Sequence, residues 1–261
     1  MHVSPELNAA LEAAGQAAQI ARSLYQHNLE VRIKADKSPV TEADVRCEVA
    51  IREILEARFP SYGFHGEETG SRDASAENVW LVDPIDGTKA FVREYPMFST
   101  QIALMRAGEI VLGVSSAPVY GEIAHAERGH GAFLNGKALA VSQVDSIESA
   151  ALSSGNLKTL AAGAQWGRYG ALVARVNRIR GYGDFLHYHL LAAGKIDAVI
   201  ESDVNILDIA ACVAIVTEAG GRVTELGGAP ISLNSTSVLA SNGRLHAALE
   251  AALNTAPGRA G

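Results

Sequence analysis

The stretch Trp80-Leu-Val-Asp-Pro-Ile-Asp-Gly-Thr-Lys89 holds the residues best placed to do chemistry. An apolar run leads into two carboxylates, Asp83 and Asp86, which flank Pro84 and Ile85. Proline fixes its own φ and drives the residue before it towards an extended shape, so both charges sit where the backbone is stiff. Two acids held this close repel each other unless a cation lies between them. Gly87 and Thr88 follow with N–H groups and a hydroxyl. A divalent metal beside an anion-binding turn is the equipment for hydrolysing a phosphate ester. Fixed acids at the end of an apolar strand do nothing for packing, so function explains this stretch better than stability does.

Three other segments carry acids that could complete such a site: Thr41-Glu-Ala-Asp44, Gly66-Glu67-Glu68 and Leu207-Asp208-Ile-Ala-Ala211. Hard divalent cations such as Mg2+ prefer oxygen ligands and keep several waters. Glu67, Asp83, Asp86 and Asp208 offer carboxylates, and the Ile85 carbonyl offers a neutral oxygen. Asp208 opens a predicted helix, where the positive end of the dipole tolerates its charge, and Thr41 and Asp44 open another. Taken singly, each has a plainer reading. Asp208 and the Thr41–Asp44 pair read as helix caps, and Glu67-Glu68 as a solvated loop. Joined to the Asp83–Thr88 hexapeptide, they read as one metal site.

Periodicity predicts the elements that must position these groups. Residues 4–27 place Leu7, Leu11, Ala14, Ala18, Ile20 and Leu24 at helical spacing. Residues 34–40, polar and broken by Pro39, read as a loop or short hairpin. Thr41 then caps a second helix, with Asp44 as the returning acid of a capping-box variant. Val45, Val49, Ile51, Ile54, Leu55 and Phe59 form its apolar side, and Pro60 ends it. Residues 63–78 read as a Gly- and charge-rich loop before a strand that starts at Val79 and delivers the two aspartates onto a turn. Residues 99–126 hold strand-like runs around a turn at Arg106–Glu109, and Phe133 leads to a hairpin-type Asn135-Gly136. Farther on, 150–152, 196–200 and 222–225 read as strands, and 166–178, 184–194, 207–219 and 242–252 as helices. The alternation predicts a layered α/β or α+β enzyme fold without internal repeats. The expectation is a single domain of two lobes, roughly 1–140 with the metal motifs and 141–261 with substrate residues.

At 261 residues the chain can bury a substantial core, and its 48% hydrophobic and 20% charged residues are ordinary for a globular protein. Its net charge is −7, and no run of Lys or Arg could track a nucleic-acid backbone. An acidic protein that handles a phosphate needs local positive charge, which a bound metal supplies. Cys47 and Cys212 lie in apolar-periodic segments and read as buried free thiols, in keeping with a reducing compartment. No basic-then-apolar signal opens the sequence, and no apolar run approaches the ~20 residues that span a bilayer. A cytoplasmic protein with no membrane partner is expected.

The motifs Gly66-Glu67-Glu68, Asp83-Pro-Ile-Asp-Gly-Thr88 and Asp208-Ile-Ala-Ala211, in this order, resemble those of the inositol-monophosphatase superfamily, over nearly the whole chain. The resemblance implies an αβαβα sandwich of the sugar-phosphatase type, two or three Mg2+ ions, inhibition by lithium and a homodimer. It implies Glu67, Asp83, Asp86, Asp208 and the Ile85 carbonyl as metal ligands, with Asp86 and Asp208 also close to substrate. It makes Glu67 and Thr88 the groups that orient the attacking water, with Asp44 and Thr41 behind Thr88 as a proton-handling pair. The Gly87 and Thr88 amides would hold the phosphate. Leu207 stands where the family usually has Trp.

The expected chemistry is in-line attack of activated water on phosphorus. No Gly-x-Ser-x-Gly elbow is present and neither cysteine lies near a basic loop, so a covalent intermediate is not expected. Lys89 resembles the histidinol-phosphate and nucleotide branches of the family. Gly183-Asp184-Phe-Leu-His-Tyr188 and the Leu190–Gly194 run after it resemble the histidinol-phosphate branch. Asp184 and Glu201 would then face the leaving group. Two acids suit a protonated amine better than a neutral polyol, and suit a second phosphate least. The plain readings are an exposed helix cap for Asp184 and a solvated strand-end acid for Glu201. His187 and His189, about 200° apart on a helix, read as packing residues. The expected substrate is a small phosphate monoester, histidinol phosphate. The alternatives are inositol 1-phosphate or sugar phosphates, a 3'(2'),5'-bisphosphate nucleotide, or a non-catalytic metal- or phosphate-binding role.

Overall fold

Ser4 starts the first helix, α1 (Pro5–Leu24): its hydroxyl accepts the Leu7 amide at 3.0 Å, and Pro5 fills a first-turn position where an N–H would have no partner. The computed structural model describes residues 3–27, 31–33 and 39–255. The short β1 (Val31–Ile33) and β2 (Pro39–Thr41) pair antiparallel. Most of the loop or hairpin expected at 34–40, namely 34–38, lies outside the described residues. Thr41 and Asp44 form the expected capping box at the start of α2 (Glu42–Arg58). The inward face of that helix differs from expectation. Val45 and Val49 are 43% and 40% exposed, while Asp44, Cys47, Glu48, Ile51 and Leu55 are buried. Hydrophobic periodicity misplaces this face because two buried acids, four residues apart, lie on it.

Further helices are α3 (Thr88–Val92), α4 (Lys158–Ala162), α5 (Trp166–Val173), α6 (Asp184–Ala192), α7 (Ile206–Glu218) and α8 (His246–Asn254). The chain divides into two compact units, Met1–Ala138 with Leu207–Glu218, and Leu139–Ile206 with Ala219–Gly261. The first unit is built on an eight-stranded sheet. Its strands are β3 (Gly63–Gly66), β4 (Ser71–Arg72), β5 (Asn78–Asp86), β6 (Ser99–Arg106), β7 (Glu109–Ala117), β8 (Glu122–Glu127), β9 (Gly131–Leu134) and β10 (Lys137–Ala138). They run in the order β10-β9-β8-β7-β6-β5-β3-β4, antiparallel throughout except for the parallel pair β3 and β5. β3 and β4 replace the loop expected at 63–78. Glycines hid them: a Cβ on Gly63 would stand 2.2 Å from the Asp73 carbonyl oxygen, so close backbone approach excludes the side chain a strand pattern needs.

One face of this sheet, with Ile102, Leu104, Leu112 and Val114, shares a core with the alanines of α1 and with Ile51 and Leu55 of α2. Side chains alternate along a strand, so Gln101 and Gly113 point to the other face. There α7 lies. Cys212 Sγ contacts Gln101 Oε1 at 3.6 Å, and a Cβ on Gly113 would meet the Ala211 carbonyl oxygen at 2.4 Å. Both cysteines are buried free thiols, as expected.

The second unit holds a five-stranded mixed sheet in the order β12-β11-β13-β15-β14. Its strands are β11 (Ala151–Ser154), β12 (Arg178–Arg180), β13 (Ala198–Ser202), β14 (Arg222–Thr224) and β15 (Ser237–Ser241). Leu152, Ala198, Ile200 and Leu239 on one face share a core with α4, α5 and α8. Ser153 and Glu201, at the alternate positions, contact His187 of α6, which covers the opposite face. The helix expected at 166–178 stops at Val173, and its last predicted residue, Arg178, opens β12. That edge strand has one apolar residue between two arginines, which leaves no pattern to read. β15 was also not foreseen, since its centre, Val238-Leu239-Ala240, is a short apolar run without alternation. The layered α/β class holds within each unit. Among the described residues no helix is long and apolar enough to cross a membrane.

Two predictions follow from these packings. Gly113→Ala forces β7 and α7 apart, so thermal denaturation should show a loss of roughly 1–3 kcal/mol. His246 is fully buried between Ser241 Oγ at 2.9 Å from Nδ1 and Thr224 Oγ1 at 3.0 Å from Nε2. Burial, then the Arg222 charge, pushes its pKa down from 6.5 to about 4. The unfolded chain therefore binds the proton more readily, and stability present above pH 6.5 is lost as pH falls towards 4. Urea denaturation should show about 2 kcal/mol of this loss by pH 5, and His246→Gln should remove that part of the acid sensitivity.

Candidate active site

β5 runs on through Asp83 to Asp86, so the aspartates sit on a distorted strand end and the turn comes after them, a correction to the expected turn. Residues three apart on a regular strand point to opposite faces. Here Asp83 lies opposite Gln101 and Asp86 opposite Ser99, so β5 carries one residue more than β6 across this interval. Such a bulge re-aims side chains, and it lets both carboxylates turn to one side. The backbone stays satisfied around Pro84, which has no N–H. The Ile85 amide donates to Asp83 Oδ1 at 3.0 Å, and the Thr100 hydroxyl donates to the Pro84 carbonyl at 2.9 Å.

Gly87 ends the strand in the left-handed region, at φ 91°, and opens α3. A Cβ there would meet the Met97 carbonyl oxygen at 2.4 Å, so only glycine fits. Thr88 follows as the first residue of α3, where amides have no partner within the helix.

Carboxylate oxygens of Asp83, Asp86 and Asp208 lie within 4.8 Å of one another. Asp208 stands in the first turn of α7, as expected, and the close fit of that helix on Gly113 sets its position. Glu67 joins them through a hydrogen bond with Asp83. Burial, then the charges of Glu67, Asp86 and Asp208, hold the Asp83 carboxyl well above the usual carboxylate range. Such crowding around a side chain only 2% exposed is relieved by a cation. The donor set is all oxygen, with no imidazole or thiolate, which fits a hard divalent ion.

The Thr88 hydroxyl lies 3.0 Å from Asp44 Oδ1 and 3.0 Å from the Ile85 carbonyl oxygen. It has one proton and serves one of them at a time. Asp44 Oδ2 accepts the Thr41 amide at 2.7 Å and the Thr41 hydroxyl at 2.6 Å. Burial raises the Asp44 pKa against the lowering effect of these hydrogen bonds. Thr41, Asp44 and Thr88 thus form one continuous hydrogen-bonded chain when Thr88 donates to Asp44, and the Ile85 carbonyl is the competing acceptor.

Glu48 was missed by the sequence reading. It is fully buried, and its carboxylate accepts the Glu68 amide at 2.8 Å and the Thr69 amide at 2.5 Å. A Cβ on Gly66 would meet Glu48 Oε1 at 2.4 Å. Glu48 therefore anchors the segment that carries Glu67. The available signal was its spacing of four from Asp44 on a predicted helix, which puts both acids on one face.

In the second unit, Asp184 opens α6 at φ 45°, a left-handed conformation uncommon outside glycine. Glu201 is buried rather than solvated, and accepts hydrogen bonds from the Tyr188 hydroxyl at 2.8 Å and from His187 Nε2 at 3.1 Å. Burial, then the Glu201 charge, raises the Asp184 pKa to about 6, with His187 opposing. His187 and His189 are both buried, and the contact of His187 with Glu201 goes beyond the packing role expected of it.

The model of the inositol monophosphatase family matches residues 2–257. The chain is 39% identical over 247 residues to a histidinol-phosphatase of Mycobacterium tuberculosis, covering 92% of this chain and 95% of that protein. It is 35% identical over 257 residues to inositol monophosphatase 3 of Solanum lycopersicum, covering 95% and 96% of the two chains. The crystal structure of the extragenic suppressor protein suhB from Bartonella henselae superposes with a TM-score of 0.89 at 32% identity, over 97% of this chain and all of that one. The chain belongs to the inositol monophosphatase family. Its enzymatic class is accordingly that of a phosphatase.

Removing the Glu48 carboxylate strands two amides. Glu48→Ala should lower stability by ~2–4 kcal/mol in urea denaturation, whereas a solvated glutamate at this position would cost less than ~0.5 kcal/mol.

Proposed function

We propose that this phosphatase hydrolyses histidinol phosphate with Mg2+ as its metal. The observation that carries the chemistry is the convergence of Asp83, Asp86 and Asp208, joined by Glu67, beside a hydroxyl already engaged with a buried acid. We assign Glu67, Asp83, Asp86, Asp208 and the Ile85 carbonyl to hold two or three ions. Bound there, hard divalent cations supply positive charge against the phosphoryl and leaving oxygens and make water easier to deprotonate.

The chain's own residues do the rest. With Thr41 occupying Asp44 Oδ2, the other oxygen is left to accept the Thr88 hydroxyl proton. Thr88, donating to Asp44, then keeps its lone pairs for a water proton, and Glu67 is the second acceptor that orients the same water. The raised pKa of Asp44 brings it nearer to taking up a proton passed through Thr88. The Gly87 and Thr88 amides are the donors we assign to the phosphoryl oxygens. Water attacks phosphorus in line with the leaving oxygen; the new P–O bond forms as the ester P–O bond breaks.

The substrate reading is supported by the similarity to histidinol-phosphatases and by the acid pair Asp184 and Glu201. We assign this pair to the ammonium group of the substrate, while Asp86 and Asp208 touch substrate from the metal site. Hydrolysis of inositol phosphates is a second reading, supported by the similarity to plant inositol monophosphatases. Magnesium, lithium inhibition and a homodimer belong to the proposal on the family resemblance.

Asp86→Asn should lower phosphate release at least about a hundredfold with an unchanged circular dichroism spectrum; unaltered turnover would remove the metal assignment. The kcat/KM for histidinol phosphate should exceed that for inositol 1-phosphate and for a nucleoside 3',5'-bisphosphate by at least about tenfold. Asp184→Asn should erase most of that preference. A preference for inositol 1-phosphate would overturn the substrate assignment and leave the chemistry standing.

A further inference from the structure

The Glu201 carboxylate is held unequally. Its Oε2 accepts both the Tyr188 hydroxyl at 2.8 Å and His187 Nε2 at 3.1 Å. Its Oε1 lies over Gly155, where an added Cβ would stand 2.0 Å from it and 3.2 Å from His187 Cε1. Among the described residues Oε1 receives no hydrogen bond. Asp184, whose pKa the Glu201 charge helps to raise, accepts none among them either.

The network also fixes the imidazole. His187 Nε2 faces the Glu201 carboxylate, which can only accept when ionised, and Ser153 Oγ, which accepts the Tyr182 amide at 3.1 Å, can turn its own proton to His187 Nδ1 at 3.4 Å. The protonated nitrogen is then Nε2, the one that faces Glu201. Asp184 and Tyr188 of α6 and Glu201 of β13 are the titratable groups around this ring, with Ser153 of β11 as its neutral contact.

We propose that His187 is a positioning residue for substrate recognition: by fixing Glu201 Oε2 through Nε2–H, it keeps Oε1 directed as the acceptor for an ammonium group on an amine-bearing phosphomonoester. The proposal rests on the assignment of Asp184 and Glu201 to the substrate amine. A carboxylate fixed at one oxygen loses little rotamer freedom when its other oxygen binds a cation. His187 touches no reacting atom, so its loss belongs in KM.

The test uses two phosphomonoesters, one bearing an ammonium group and one uncharged beyond its phosphate, with the full chain and Mg2+. His187→Leu should raise KM about tenfold for the amine ester alone, with kcat for both esters within about threefold of the parent. His187→Gln places an amide N–H near the position of Nε2 and should restore KM to within about twofold, while the shorter His187→Asn should not. This Gln and Asn contrast decides the matter if the leucine variant does not fold. Equal effects on both esters, no effect on either, or equal behaviour of Gln and Asn overturns the proposal. Glu201→Gln and Asp184→Asn separate the two levels. If neither changes the amine preference, the substrate assignment itself fails; if they change it and the His187 variants do not, only the positioning role fails.

Discussion

Mutual repulsion among Asp83, Asp86, Glu67 and Asp208 is the constraint around which the first unit is arranged. Unit charges about 4 Å apart repel by about 1 kcal/mol in water and several times that near a protein surface. Left to themselves these side chains would turn apart. The backbone prevents it by different means on each segment. The bulge at Pro84 aims two acids from β5, Glu48 clamps the amides after Glu67, and the missing side chain at Gly113 lets α7 carry Asp208 close to the sheet. The same crowding that raises the Asp83 pKa is what gives a cation something to gain by binding.

Buried acids recur here, each with its own compensation. Asp44 receives hydrogen bonds from Thr41 and Thr88, and Glu48 from two backbone amides. Removing donors from such a group costs more than the bond was worth, because the carboxylate stays buried. These acids therefore tie the α2 face to the Gly66–Thr69 segment and to the start of α3. Packing alone could not set those distances.

The backbone of the candidate site was legible in the sequence because its geometry is local. Asp83-Pro-Ile-Asp-Gly-Thr88 contains the bulge, the left-handed glycine and the first turn of α3 within one hexapeptide, so spacing and residue type carried most of the information. Thr41 and Asp44 were legible for the same reason, since a capping box is a local motif. What failed was pattern reading where polarity and burial part company. Val45 and Val49 looked like core and are exposed, while Glu48 looked like surface and is sealed. β3 and β12 were hidden by glycines and by flanking arginines, whose roles depend on neighbours far along the chain.

The acid pair of the second unit, which we propose faces the substrate amine, was harder to read than the metal motifs. Asp184 and Glu201 are two carboxylates at helix and strand termini in the sequence, each with an unremarkable solvated alternative. Their environments separate them. Glu201 is ringed by a hydroxyl and an imidazole, both donating to one oxygen, and Asp184 is held in a left-handed conformation beside its charge. With donors supplied to one acid and not to the other, the pair is left short of positive charge. That deficit depends on Gly155, Ser153 and Tyr188, none of which carries a functional signal by type or spacing. Selectivity of this kind lives in the shell around the charges, and such a shell exists only once the sheet and α6 have brought it together.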